Sequence, residues 1–333
     1  MKVFYSLNNF LRSSASSGKF AVTIGVFDGL HRGHQRIAKT LIKKARRRHL
    51  STLLITFDPH PANVLKPAKG VPLLISLKHR LRLLGEIGID YVIVMRFTRR
   101  LLRMDAADFT KKILSRINAE EIVVGKGFVF GSKRRGSLRT LRKFSGVYGY
   151  RINAVCELRH SGGVISSTRI RNLILNGELL NASRLLLRPV VILGTVVKGH
   201  KRGRIIGYPT ANIDPHHEAI PPSGVYVVKI KLEKKLYKGI LNIGTRPTFA
   251  RGPYGDREPT IEVHMFNFNK TIYGKDLEIN FVRKIRNERK FIDPARLIEQ
   301  IKKDEKRAKQ IFRPKEVPHT TKKVQGRAGR SRE

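Results

Sequence analysis

One cysteine, Cys156, stands in the whole chain, so neither an internal disulfide nor a cysteine-based zinc site can form. No run of about 18 consecutive apolar residues occurs, which predicts that no helix spans a membrane. Met1 to Leu11 contains neither a charged region leading into an apolar stretch nor a small-residue cleavage site, which argues against secretion. These absences together predict a reducing, cytoplasmic setting. Acidic residues are scarce as well: 25 Asp and Glu stand against 68 Lys and Arg, a formal charge of +43 over 333 residues. Hydrophobic residues nevertheless make up 41%, which excludes a disordered chain. The length suggests two domains at about 100–200 residues each.

Lys and Arg neutralise phosphates and gain affinity by counterion release, so the charge by itself suits a nucleic-acid binder. The basic residues are spread along the chain, however, from Lys43–Arg48 through Arg99–Arg100 and Lys133–Arg135 to the tail beyond Phe312. Neither zinc-finger spacing nor an aromatic RNA-recognition signature accompanies them. Charge on solvated faces is the better reading, with no specific nucleic-acid partner and non-specific polyanion binding as a side effect.

Apolar runs and helical periodicity alternate over the first half. Strands are expected at Ala21–Phe27, Thr52–Phe57, Tyr91–Phe97, Glu121–Val124 and Ile152–Glu157. Helices are expected at Gly33–Arg48, Leu77–Ile87 after the N-cap Ser76, Ala106–Ile117 and Ser137–Phe144. Such alternation implies a parallel sheet covered on both faces, with ligands at the carboxyl ends of its strands. Two short helices follow, Thr168–Leu175 and Leu179–Leu187. Beyond Arg188-Pro189 the rhythm changes to β-rich runs at Val190–Val197, Gly224–Glu233, Lys235–Ile243, Thr260–Phe268 and Leu277–Ile285, typical of an antiparallel barrel or sandwich. Asp293-Pro294 opens a last helix. The expected division is residues 1–187, 188–312, and a basic disordered tail over 313–333.

Gly25-Val26-Phe27-Asp28-Gly29-Leu30-His31-Arg32-Gly33-His34 sets two imidazoles three residues apart at the mouth of a helix that follows a strand. Free N–H groups and the helix dipole favour a phosphate there, and imidazole N–H groups can stabilise charge as a phosphate is displaced. Either histidine alone could be a mere helix cap, and a zinc site lacks a third ligand of suitable spacing. The segment resembles the H-x-G-H signature of the nucleotidylyltransferase superfamily, in the form carried by bacterial bifunctional riboflavin kinase/FAD synthetases. Thr56-Phe57-Asp58-Pro59-His60-Pro61 is similar to that family's F-x-P-H-P loop. Ile165-Ser166-Ser167-Thr168-Arg169-Ile170-Arg171 is similar to its S-S-T-x-I-R motif. The resemblance implies nucleotide binding by Gly25, Phe27, Asp28, Gly29 and Gly33, and stabilisation of the transferring phosphates by His31, His34, Ser167, Thr168 and Arg171. It also implies flavin contacts from Pro59, His60, Pro61 and Phe128. One departure matters most: Gly127 stands where the family usually has Asp or Asn, which keeps open a riboflavin kinase with impaired adenylyltransferase, while Gly25-Val26-Phe27 and Asp58 replace commoner family residues conservatively.

Gly194 to Asn212 is a glycine- and base-rich stretch between apolar runs. It can be a phosphate cradle or a surface hairpin, and it is not a P-loop. It resembles the riboflavin kinase module, which implies ATP binding by Gly199, Lys201, Gly207, Pro209, Thr210 and Asn212, with Thr210 and Asn212 as Mg²⁺ ligands. Glu262, in an apolar strand, would ordinarily be solvent-facing or salt-bridged. The stretch from Thr260 to Phe268 is similar to the kinase family's E-x-H-x-F/L-x-F run, which implies that Glu262 is the general base. Arg286-Asn287-Glu288 matches the family's run near the flavin and implies roles for Arg286 and Glu288.

The expected architecture is thus an α/β Rossmann-like nucleotidylyltransferase domain followed by an antiparallel split β-barrel riboflavin kinase domain. The implied reactions are phosphorylation of riboflavin to FMN and adenylylation of FMN to FAD with release of pyrophosphate, using ATP and Mg²⁺. A nucleic-acid-binding protein on a nucleotidylyltransferase scaffold is the rival of another class.

Overall fold

The computed structural model describes residues 1–65, 70–199, 207–216, 218–252 and 255–313. The first half runs β1 (Lys2–Phe4), α1 (Leu7–Leu11), β2 (Phe20–Ile24), α2 (Arg32–Arg47), β3 (Ser51–Asp58), α3 (Pro61–Leu65), α4 (Leu77–Ile87) and β4 (Tyr91–Arg96). It continues through α5 (Arg99–Arg103), α6 (Ala106–Lys112), β5 (Ala119–Gly125), α7 (Leu138–Tyr148) and β6 (Arg151–Val155). Strands β1 to β6 form one parallel sheet in the order β1-β4-β3-β2-β5-β6. Successive side chains alternate between its faces: Val22, Ile24, Leu53, Ile55, Ile122 and Val124 pack into one core, and Ala21, Leu54 and Val123 into the other. Both faces are therefore buried, as a parallel sheet requires. From β2 the chain winds outward one way through β3 and β4, then returns to β5 on the other side. Ligands of such sheets bind at this reversal, outside the carboxyl ends of β2 and β5.

After a short hairpin, β7 (Arg159–His160) and β8 (Gly163–Val164), come α8 (Ser167–Leu175) and α9 (Leu179–Leu186). The second half is a closed barrel, β10-β13-β12-β11-β14-β9. Its strands are β9 (Val191–Val197), β10 (Ala211–Asp214), β11 (Gly224–Leu232), β12 (Lys235–Gly252), β13 (Gly255–Met265) and β14 (Asp276–Arg286). All the barrel pairings are antiparallel. Ile192, Tyr226, Leu241, Ile261, Val263 and Ile279 fill the interior, and Ile170, Ile174 and Leu185 of α8 and α9 extend the same cluster. On the outer face, Ala308 of α10 (Pro294–Ile311) packs with Val225, Val227, Ile240 and Phe266. Asp293 caps this helix by accepting from Arg296 N at 2.8 Å, with Pro294 at its start.

Several boundaries differ from the sequence expectation. β2 stops at Ile24, because Phe27 adopts the left-handed conformation (φ 55°) and the chain turns through Asp28–Leu30. The helix expected over Ala106–Ile117 breaks after Lys112 into a separate turn at Leu114–Arg116. β10 lies where the sequence pattern predicts no strand: it is short and starts inside the glycine- and base-rich stretch that ends at Asn212. The tail from residue 314 lies outside the described residues.

Candidate functional site

The first group of residues gathers at the carboxyl end of β2. Gly29 (φ 79°) is required there, since a Cβ would fall 2.5 Å from Leu74 Cδ1. His31 caps α2 by accepting the His34 N–H on Nδ1 at 3.3 Å, so the neutral ring carries its proton on Nε2. The His31 and His34 rings stack with centroids 3.7 Å apart and planes 17° apart. Burial, and then the nearby Arg188, bring the His31 pKa down to about 4. His34 is held well below its ordinary value by burial, then by His31 and Arg80. Both rings are neutral near pH 7. They can donate hydrogen bonds to a polyphosphate, while the positive potential comes from the opening of α2 and from buried guanidinium groups. His34 Nδ1 is buried with no hydrogen-bond partner among the described residues, a polar atom that suits a ligand in this opening.

The S-S-T-R-I-R stretch lies against the same turn. Ser166 caps α8, Ser167 Oγ donates to Asp28 O at 2.8 Å, and Arg171 Nη2 meets Asp28 Oδ2 at 2.7 Å. Arg171 Nε also donates to Pro72 O at 2.6 Å, and Asp28 Oδ1 accepts from Leu74 N and Ile75 N at 2.9 and 3.3 Å. Asp28 and Arg171 are thus a buried pair that orients the turn, whereas Thr168 is exposed in the first turn of α8. Gly25 and Gly33 line the turn on either side, where a Cβ would press on the Phe27 and His31 rings respectively.

Two arginines escaped the sequence reading. Arg80, 1% exposed, donates from Nη1 to Val26 O, Thr56 Oγ1 and Phe57 O at 2.6, 2.9 and 3.3 Å, joining the ends of β2 and β3. Its signal was available: it shares a helical face with Leu77 and Leu84. Arg188 donates to Gly29 O at 2.8 Å and is separated from it by too much sequence for any local pattern to reveal.

Beyond the carboxyl end of β3, Pro59, His60 and Pro61 follow directly. His60 Nδ1 accepts from Ala62 N at 3.1 Å, and its pKa is lowered chiefly by burial. Phe128 stacks on Phe130 at 5.4 Å beyond the end of β5. At Gly127 a Cβ would sit 2.7 Å from Glu157 Oε1. A carboxylate from the chain after β6 therefore lies where a side chain at 127 would begin.

The second group lies on the outer face of the barrel. Asn212 of β10 pairs with Glu262 of β13, and Glu262 pairs in turn with Asn242 of β12. The flanking Ile213, Ile261, Val263, Leu241 and Ile243 point inward, which leaves this polar row facing out. Gly199 is needed beside it, because a Cβ there would collide with the Asn212 side chain. His264, on the same face as Glu262, has Nδ1 2.8 Å from Pro209 O, and Tyr208 Oη donates to Glu305 Oε2 of α10 at 3.3 Å. These contacts hold the Gly207–Thr210 segment against the row; Thr210 is exposed. Lys201 lies outside the described residues. Arg286 Nε donates to Asp304 Oδ2 at 2.8 Å, and Gln300 donates to Asp304 Oδ1 at 2.9 Å. Glu288 is exposed and reaches over Gly244, where a Cβ would lie 2.7 Å from its Oε1. Asn242 and Asp304 adjoin this group, and their places are recognisable only once strand register and the packing of α10 are known.

For a Mg²⁺ ion, the glycine-shaped space around Asn212 and the neighbouring Thr210 hydroxyl supply neutral hard oxygens of a kind that ion accepts. Among the described residues no cluster of three or more His, Cys, Asp or Glu could form a metal site, so any such ion would depend on substrate phosphates and water for its remaining ligands.

Residues 13–169 match the FAD synthetase family model and residues 186–312 the riboflavin kinase family model. The chain is 36% identical over 314 residues to the bifunctional riboflavin kinase/FMN adenylyltransferase of Escherichia coli (strain K12), spanning 94% of this chain and 98% of that protein. The protein of the same description from Bacillus subtilis (strain 168) is 34% identical over 299 residues, spanning 88% and 93%. Among solved structures, one described as a macrolide-efflux protein from Streptococcus pneumoniae superposes with a TM-score of 0.79 at 30% identity, covering 92% of this chain and 98% of that one.

Proposed function

The chain belongs to the bifunctional riboflavin kinase/FMN adenylyltransferase family, and on that premise we propose how its two sites divide the work. The enzyme converts riboflavin and ATP to FMN and ADP, then FMN and a second ATP to FAD and pyrophosphate. The observation that carries the assignment is the row Asn212–Glu262–Asn242 on the barrel, set apart from the stacked His31 and His34 at the sheet.

In the barrel, Glu262 takes the proton of riboflavin's ribityl hydroxyl as that oxygen attacks the γ-phosphorus of ATP. Thr210 and Asn212 would hold Mg²⁺, which when bound neutralises charge on the phosphates. Gly199, Gly207 and Pro209 border the nucleotide, and Lys201 is assigned to its phosphates by the family resemblance alone. Arg286, oriented by Asp304, and Glu288 bind the flavin side. Catalysis here is chiefly positioning and charge stabilisation.

At the sheet, a phosphate oxygen of FMN attacks the α-phosphorus of ATP and pyrophosphate leaves. His31 Nε2–H and the His34 ring donate to the phosphate oxygens as charge shifts onto the leaving group. Ser167 and Thr168 add hydroxyls at the opening of α8, and Gly25, Phe27, Gly29 and Gly33 let the backbone approach the nucleotide. Asp28 and Arg171 hold the turn in place. Pro59, His60, Pro61 and Phe128 bound the flavin.

We assign the enzyme to the cytoplasm, where ATP is available; no nucleic acid is proposed as a specific partner, and non-specific adhesion to polyanions accompanies the charge. Efflux stays with the Streptococcus pneumoniae protein so described; among the described residues of this chain no helix is long and apolar enough to cross a membrane. A chromatographic product assay with Mg-ATP, started in parallel from riboflavin and from FMN, tests the reading. FAD in both reactions supports two working sites. FMN accumulating from riboflavin, with none converted, contradicts the assignment at the sheet.

A further inference from the structure

The segment from Pro72 to Ser76 belongs to the first half of the chain and is gripped from both sides. Toward the sheet, Pro72 O accepts from Arg171 Nε at 2.6 Å, and Leu74 N and Ile75 N donate to Asp28 Oδ1. The Leu74 side chain fills the space that Gly29 leaves open. Toward the barrel, Leu73 O accepts from Ala219 N, and Ser76 N donates to Glu218 Oε1 at 2.6 Å. The other oxygen of Glu218 accepts from Leu193 N of β9 at 3.0 Å. Glu218 is completely buried, and Leu73 and Glu218 form an isolated parallel bridge. Along five residues the backbone therefore alternates between Asp28 or its ion-pair partner Arg171 on one side and Glu218 and Ala219 of the barrel half on the other.

Resting on the assignment of adenylyl transfer to the His31 site, we propose that Glu218 is a positioning residue for that reaction. Although it belongs to the kinase half, its side chain fixes the height of the 72–76 strap, and the strap fixes Asp28 and hence the turn that presents His31 and His34. It touches neither substrate. Misplacing catalytic groups by about 1 Å can cost on the order of 100-fold in rate, so the link predicts a selective effect. Two other ion pairs across the interface do not share it: Arg82–Glu278, paired at 2.7 Å, and Lys78–Asp276 join the halves without contacting the strap between 72 and 75.

The test compares Glu218→Ala, Glu218→Gln and Glu278→Ala in the full chain, measuring FMN-to-FAD and riboflavin-to-FMN kinetics on the same preparations. Glu218→Ala is expected to lower kcat for adenylylation by about 10- to 100-fold while riboflavin phosphorylation is retained. Glu218→Gln, which keeps one acceptor oxygen, should recover part of the loss, and Glu278→Ala should leave both reactions unchanged. Unaltered adenylylation in Glu218→Ala, equal loss of both activities, or an equal adenylylation loss in Glu278→Ala would each overturn the proposal. If Glu218→Ala does not fold, the ratio of the two activities in Glu218→Gln decides by the same criteria. Wild-type protein unable to make FAD would instead refute the site assignment on which the proposal rests.

Discussion

Asn212 stands directly opposite Glu262 on neighbouring antiparallel strands, with its side chain lying in the space that Gly199 leaves by having no Cβ. The pairing sets an amide side chain beside a carboxylate on one face of the barrel, so a residue suited to a metal-bound phosphate adjoins one suited to a proton. A side chain at 199 would push Asn212 away from this arrangement. Gly199→Ala is expected to reduce riboflavin phosphorylation chiefly through a raised KM for Mg-ATP, with conversion of supplied FMN to FAD unaffected; steady-state kinetics of both reactions check it.

Arg286 depends on Asp304. The carboxylate side chain is 4% exposed and the guanidinium 14%, and removing one partner of a buried pair costs about 3–5 kcal/mol. Asp304→Ala should lower the Tm and raise the KM for riboflavin while leaving the KM for FMN at the other site unchanged. Thermal unfolding and the two sets of kinetics together test this.

The buried histidines set the acid limb of stability. His31 has a folded pKa of about 4 and His79 of about 3, against 6.5 for the ordinary side chain. The unfolded chain thus binds their protons first, so the stability they contribute is present above 6.5 and is lost as pH falls toward 4 and 3. Glu218 has the opposite sign: burial pushes its carboxyl from 4.5 up to about 8, and the stability it contributes is lost as pH rises through that window. In a Tm series, the difference between wild type and Glu218→Gln should shift in favour of the variant between pH 5 and 8. A difference that is flat with pH would contradict the assignment.

Gly127 admits a direct test. With Glu157 Oε1 2.7 Å from the position a Cβ would take, an acidic side chain at 127 meets both crowding and like charge. Gly127→Asp alone is expected to give no gain in FAD formation, and Gly127→Asp combined with Glu157→Ser to give more FAD than Gly127→Asp by itself. Equal FAD output from these two variants would show that Glu157 does not restrict the position.

Much of this architecture was legible in the sequence because buried parallel strands are short apolar runs and because Ser76 and Asp293 are strong helix starts. The His31 and His34 opening was legible for the same reason, since a glycine-rich turn between strand and helix is local chemistry. What escaped was non-local. Arg188 and Glu218 each act on residues far along the chain, Asp304 holds Arg286 on a different element, and nothing in their own neighbourhoods names those partners; Arg80 shows in the sequence only as a position on the apolar face of its helix. β10 escaped because four residues are too few for alternation to show, and β2 was overextended because Val26 and Phe27 are apolar even though the backbone has already turned. Arg171, read as a phosphate ligand, lies buried on Asp28 and Pro72 O, a geometry that required the fold.

The central claim is that two separate sites carry out two separable reactions. Its most direct test is a crossed measurement of FMN and FAD production by Glu262→Gln and by the double variant His31→Ala/His34→Ala. Glu262→Gln should lose riboflavin phosphorylation by on the order of 10²–10⁴-fold, the range of a general base, and still convert supplied FMN to FAD. The histidine variant should lose FAD formation by at least about 10²-fold, the cost of a preorganised donor, and still make FMN. Parallel loss of both activities in either variant would contradict the account.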